Sequence, residues 1–197
     1  MRSLLFTLII LMVLPAKAQM LDQVALDSVR TFRSLERAMK DPAAVQRLDL
    51  SGSKLKVVPE ELRQFVNLNA LDLNGNKLKE LPTWLGELAY LQELRVSKNK
   101  LENTPLVICS LRHLKRLDLS RNAITGLPAC IGTLSKLVSL DLWSNDIAEV
   151  PEEIKDLEEL RFLDLRAIMF EQPEMDRIQE LLPKAKVYFS QPCNCGM

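Results

Sequence analysis

Six leucines, Leu48, Leu71, Leu94, Leu117, Leu140 and Leu163, stand 23 residues apart without a break. A second apolar column follows two residues later: Leu50, Leu73, Val96, Leu119, Leu142 and Leu165. A third, Leu55, Leu78, Leu101, Ile124 and Ile147, lies five further on, and Asn76, Asn99, Asn122 and Asn145 form a fourth. Each unit then reaches a proline, in Val58-Pro59, Leu81-Pro82, Thr104-Pro105, Leu127-Pro128 and Val150-Pro151. A fixed period of this length marks a supersecondary unit that cannot bury its apolar face alone and is stable only when stacked on copies of itself.

Each column has a physical task. In Leu-x-Leu the alternation turns two side chains inward and the one between outward, so the segment is a short strand. Stacked in parallel, these strands make one sheet with an apolar inner face and an exposed outer face. The asparagine sits where the chain leaves the strand, and its amide can pair backbone groups of adjacent turns that stacking buries. Proline lacks an N–H and cannot extend the strand, so it marks the return along the other side. Segments such as Pro82–Leu88 and Pro151–Leu157 fit a single helical or 3-10 turn there.

The pattern L-x-x-L-x-L-x-x-N-x-L-x-x-L-P over residues 45–170 resembles the leucine-rich-repeat family. The 23-residue spacing is similar to that of scribble-like and Ras-suppressor-like proteins and of exported bacterial members. The resemblance implies an α/β solenoid with a short curved parallel sheet on its concave face and short helical turns on its convex face. It also implies a non-enzymatic binding module that recognises a protein or glycan on the concave face.

The flanks depart from the repeat. Arg2, the apolar run Leu4–Leu14 and the small-x-small sequence Ala16-Lys17-Ala18 read as a signal peptide at 1–18, cut after Ala18. The run is too short to cross a bilayer as a helix, so the expected product is secreted, periplasmic or held at the cell surface, with no membrane span. Residues 19–44 are expected to form a helical cap, with Val29, Phe32, Leu35 and Met39 on one face and Pro42 closing it. Residues 171–197 are expected to hold a second cap, with Met175, Ile178, Leu181 and Leu182 on a helix, a final strand at Lys186–Phe189 and a cysteine-containing tail.

Function is expected on the outward strand positions, because the inward ones are committed to packing. Arg95, Lys98, Arg116 and Arg121 fall together as a basic cluster in mid-sheet. Trp143, Phe162 and Arg166 gather toward the C-terminal end, and an exposed Trp is a common interface anchor. Stacking of Trp143 against Arg121 or Arg166 is its structural alternative. Asp118, Asp141 and Asp164 form a carboxylate ladder that could also face a partner. A flat row of this kind lacks the enclosing loop that a calcium site needs, and no metal or cofactor is expected.

The chain has 26 basic and 26 acidic residues, a balance that argues against nucleic acid as the main partner. Catalytic motifs are missing, and the single histidine, His113, occupies a variable linker position. Cys109 and Cys130 fall in adjacent repeats on the convex side, where export would favour pairing. Cys193 and Cys195 form a C-x-C pair in the tail, open to a staple or to thiol–disulfide exchange. A purely structural or adhesive surface role is the remaining alternative.

Overall fold

The computed structural model describes residues 20–190. The leader at 1–18 and the tail cysteines Cys193 and Cys195 lie outside the described residues. Six strands repeat at 23-residue intervals: β2 (Arg47–Asp49), β3 (Ala70–Asp72), β4 (Glu93–Arg95), β5 (Arg116–Asp118), β6 (Ser139–Asp141) and β7 (Phe162–Leu165). With β1 (Thr31–Phe32) and β8 (Lys186–Phe189) at the ends they make one parallel sheet in chain order. The register is the sequence period itself: Leu48 pairs with Leu71, Leu71 with Leu94, and so on to Leu163. This is the α/β solenoid expected from the columns.

The returns are five-residue 3-10 turns at Glu60–Gln64, Thr83–Glu87, Leu106–Ser110, Ala129–Thr133 and Glu152–Asp156. Each follows its proline and buries one aliphatic residue, from Leu62 to Ile154. Sheet and turns enclose one continuous core that includes every member of the Leu48 and Leu50 columns. Burying a large aliphatic contributes roughly 1.5–3 kcal/mol before chain entropy is charged against it.

The asparagine column carries the backbone pairing between turns. The Asn122 amide donates to the carbonyls of Val96 and Leu119 and accepts from the Leu101 N–H. Asn76, Asn99 and Asn145 repeat the arrangement one period away. Just before each asparagine position the chain takes a left-handed turn, with φ of 65° and 66° at Gly52 and Gly75 and 54° at Lys98 and Arg121.

The N-terminal flank differs from one amphipathic helix. It breaks into α1 (Gln23–Ser28), β1 and α2 (Leu35–Ala38), so Val29, Phe32, Leu35 and Met39 do not share a helical face. Asp22 and Ser34 each cap a helix start and so favour two short helices over one long one. At the other end α3 (Gln172–Leu181) packs its Ile178 into the core, and β8 completes the sheet.

Candidate functional site: the concave sheet face

The outward strand positions form rows across the sheet, neighbouring strands being about 4.8 Å apart. The aspartate row has a local task that the columns did not reveal. Asp49, Asp72, Asp118, Asp141 and Asp164 each accept a hydrogen bond from the backbone N–H two residues on. That is the side-chain-to-backbone turn that aspartate favours, placed where the strand ends. Burial pushes the Asp72 and Asp141 carboxyls up, the turn hydrogen bond pulls them down, and neighbouring aspartates push them up further. Among the described residues no group of three or more His, Cys, Asp or Glu side chains is placed to hold a metal ion.

Three of the four cations of mid-sheet take separate partners. Arg116 donates to Glu93 at 2.7 Å, and Arg95 lies 3.8 Å from Asp72. Arg121 stacks over the Trp143 ring at 5.4 Å from its centroid. Lys98 stands exposed at its left-handed turn. Arg116 thus turns away from Asp118, whose Oδ1 takes both the N–H and the hydroxyl of Ser120. The outcome follows from burial: Glu93 is only 2% exposed and needs cations more than the half-open Asp118 does.

Glu93 is buried because the segment that precedes the first repeat, residues 21–28, covers it. The Leu21 N–H donates to Asn69, the Leu21 carbonyl accepts from Gln92, and Gln23 reaches Glu93 at 3.1 Å. Arg47 donates to the Leu26 carbonyl and to Glu93. Residues 21–28 therefore lie as a strap across the outward side of β2, β3 and β4. Leu26 and the outward-facing Ala70 are both buried, yet neither belongs to the main core. Beside the strap a cavity of about 180 Å³ is lined with charge, among others by Arg33, Arg47, Asp49, Asp72, Glu93 and Arg95. Nothing in the 23-residue columns points to this, since Leu21, Gln23 and Leu26 are outside the repeat.

Toward the C-terminus the face is open. Trp143 is 38% exposed and Phe162 49%. Arg166 pairs with Asp164 through both carboxylate oxygens and sits over the Tyr188 ring at 5.8 Å. Tyr188, on β8, extends the aromatic surface one strand beyond the repeats, which the columns could not show.

On the convex side Cys109 and Cys130 form a disulfide, with their Cα atoms 5.7 Å apart. The two-residue offset between their columns is absorbed by neighbouring 3-10 turns. His113 is half-buried with Lys136 Nζ at 3.3 Å from Nδ1. Burial, then Lys136 and Lys115, hold its pKa below the ordinary histidine value. Among the described residues no helix is long and apolar enough to cross a membrane.

The family model for the leucine-rich repeat matches residues 43–101, 89–147 and 112–167. A leucine-rich-repeat protein of Leptospira interrogans is 32% identical with a TM-score of 0.65, over 82% of this chain and 48% of that one. An internalin of Listeria monocytogenes is 25% identical with a TM-score of 0.57, over 69% of this chain and 38% of that one. The ectodomain of a plant membrane receptor kinase from Arabidopsis thaliana, in complex with Casparian strip integrity factor 2, shares the fold. It is 24% identical with a TM-score of 0.58, over 75% of this chain and 22% of that one. The chain thus spans about half or less of the length of these proteins. No curated protein matches it.

Proposed function

This chain belongs to the leucine-rich-repeat family, whose fold suggests a protein-interaction module, and from that premise we propose that it is exported and binds a protein ligand on the C-terminal half of its concave face. The observation that carries the reading is the pair of exposed aromatics in adjacent repeats: Phe162, which opens β7, and Trp143, two residues past the end of β6. Arg121 holds the Trp143 ring in place, so little side-chain entropy is lost when a partner covers it. Arg166 and Asp164 flank the aromatics with a fixed ion pair, and Asp118, Asp141 and Arg116 border them as a polar rim. The strap confines this surface to β5–β8. No cofactor enters the reading, and binding rather than catalysis is the proposed activity.

Export is supported by the leader at 1–18, and by the Cys109–Cys130 disulfide, a bond that persists in oxidising compartments. N-terminal sequencing of the product outside the cytoplasm tests this part; a start at Gln19 is expected.

For the surface itself, the experiment compares ligand capture by the wild type and by Trp143→Ala with Phe162→Ala. A captured protein that is lost from the double variant supports the reading. Equal capture by both, with unchanged melting, overturns the concave-face assignment.

A further inference from the structure

A second surface lies on the edge where the chain leaves the sheet, outside the concave face. Lys54, Lys77 and Lys100 stand one period apart, each just before the third apolar column. Lys56 and Lys79 stand just after it, and Lys98 occupies the nearby left-handed turn. All six are exposed. Among the described residues none of the six lies within 4 Å of a carboxylate, whereas Lys155 on the convex side does pair, with Glu152.

In the later repeats the same columns hold Ala123 and Asp146, then Thr125 and Ala148, and Glu149 lies close by. The edge therefore changes sign along the solenoid although the chain as a whole is neutral. Glu80 and Glu102 interrupt the lysine rows without balancing them. A recess of about 390 Å³ runs between the rows, lined by Lys56, Val57, Lys77, Lys79, Glu80 and Lys100. Val57 is 69% exposed there.

We propose that this edge binds a linear sulfated polysaccharide lying along the solenoid axis. Successive repeats place cations at intervals of about 4.8 Å, comparable with one sugar unit of an extended chain. Two such rows flanking a recess match a polymer that carries anions on both sides. The cations are all lysine, compact point charges on flexible stems that can follow the anions of a polymer without requiring a fixed bidentate geometry. Val57 offers the small apolar contact that a sugar ring's C–H face can cover. A membrane surface would find a single exposed valine, too little to insert. A nucleic-acid strand would need aromatic side chains for its bases, and the recess lining has none.

The test measures binding of the purified protein to heparin at about 0.15 M salt, beside fully desulfated heparin, anionic phospholipid vesicles and single-stranded DNA. The variant combines Lys54→Gln, Lys77→Gln, Lys79→Gln and Lys100→Gln. The expected result is salt-sensitive heparin binding that the variant weakens at least about tenfold with no change in melting. Trp143→Ala is expected to leave heparin binding intact, which separates this surface from the concave one. Undiminished heparin binding by the four-lysine variant overturns the proposal, as does desulfated heparin, vesicles or DNA binding as tightly as heparin.

Discussion

The Glu93 carboxylate accepts a hydrogen bond from Arg116 at 2.7 Å, which joins strands β4 and β5 across the outward side of the sheet. Its second oxygen receives Arg47 at 3.2 Å, and Gln23 of the strap reaches it as well. One buried acid on β4 thus ties β2, β5 and the strap to its own strand. With 2% exposure it would be costly if left without its cations.

Replacing Glu93 by Ala should therefore destabilise the fold by about 3 kcal/mol, because Arg47 is left in a largely covered position with only the exposed Asp27, at 3.6 Å, for a partner. Urea denaturation measures the loss. Hydrogen exchange should also show the amides of residues 21–28 opening first. A variant as stable as wild type would mean that the strap is held without this cluster.

Asn122→Ala removes a donor to two backbone carbonyls and an acceptor for the Leu101 N–H. Unpaired backbone groups in such a place cost about 1–3 kcal/mol each, so a loss of about 3 kcal/mol is expected from the urea midpoint. Ser53, which occupies the asparagine position in the first repeat, should tolerate alanine with a change under about 0.5 kcal/mol, being exposed.

Gly132 is needed for closeness and not for an unusual φ. A Cβ there would stand 2.5 Å from the Glu153 carbonyl oxygen on the next 3-10 turn, while at Gly126 it would meet nothing within 4 Å. Gly132→Ala should cost about 2–3 kcal/mol by forcing two turns apart, and Gly126→Ala should be close to neutral. Thermal melting of the two variants side by side checks the contrast.

Burial, reinforced by Asp118 and Asp164, holds the Asp141 carboxyl above its ordinary value of 3.8 in the folded chain. Between the unfolded and folded values the native state binds more protons, so stability falls as pH rises through that window. Asn keeps an oxygen to accept the Trp143 N–H but carries no charge. Asp141→Asn should accordingly be more stable than wild type near pH 7, with the gain vanishing as pH falls below 3.8. Denaturation at the two pH values reads this out; a gain that persists in acid would refute the electrostatic cause.

Much of the fold was legible because stacking turns sequence period into spatial register. Leu71 lies beside Leu94 for the same reason that it stands 23 residues before it, and every asparagine inherits the same two kinds of partner. The candidate site was legible as a set of positions, including the exposed Trp143 and Phe162. Its electrostatics were not. Arg95, Lys98, Arg116 and Arg121 share a region of sequence space, yet Arg95 answers to Asp72, Arg116 to Glu93 and Arg121 to Trp143, while Lys98 stands exposed.

The amino-acid sequence by itself therefore determined the solenoid, its register, the polar ladder at each turn and the proximity of Cys109 to Cys130. The first three properties are local and repeat, so each copy states them again, and the fixed period alone brings the two cysteines of adjacent repeats together. Tertiary structure decided what happens only once. It laid the non-repeating Leu21–Ser28 over the outward side of β2–β4, buried Glu93 beneath it, drew Arg116 away from Asp118 and left the C-terminal half of the face open. The physical reason is that burial sets the strength of each charge's demand for a partner, and burial at those positions is created by a segment that has no period to read.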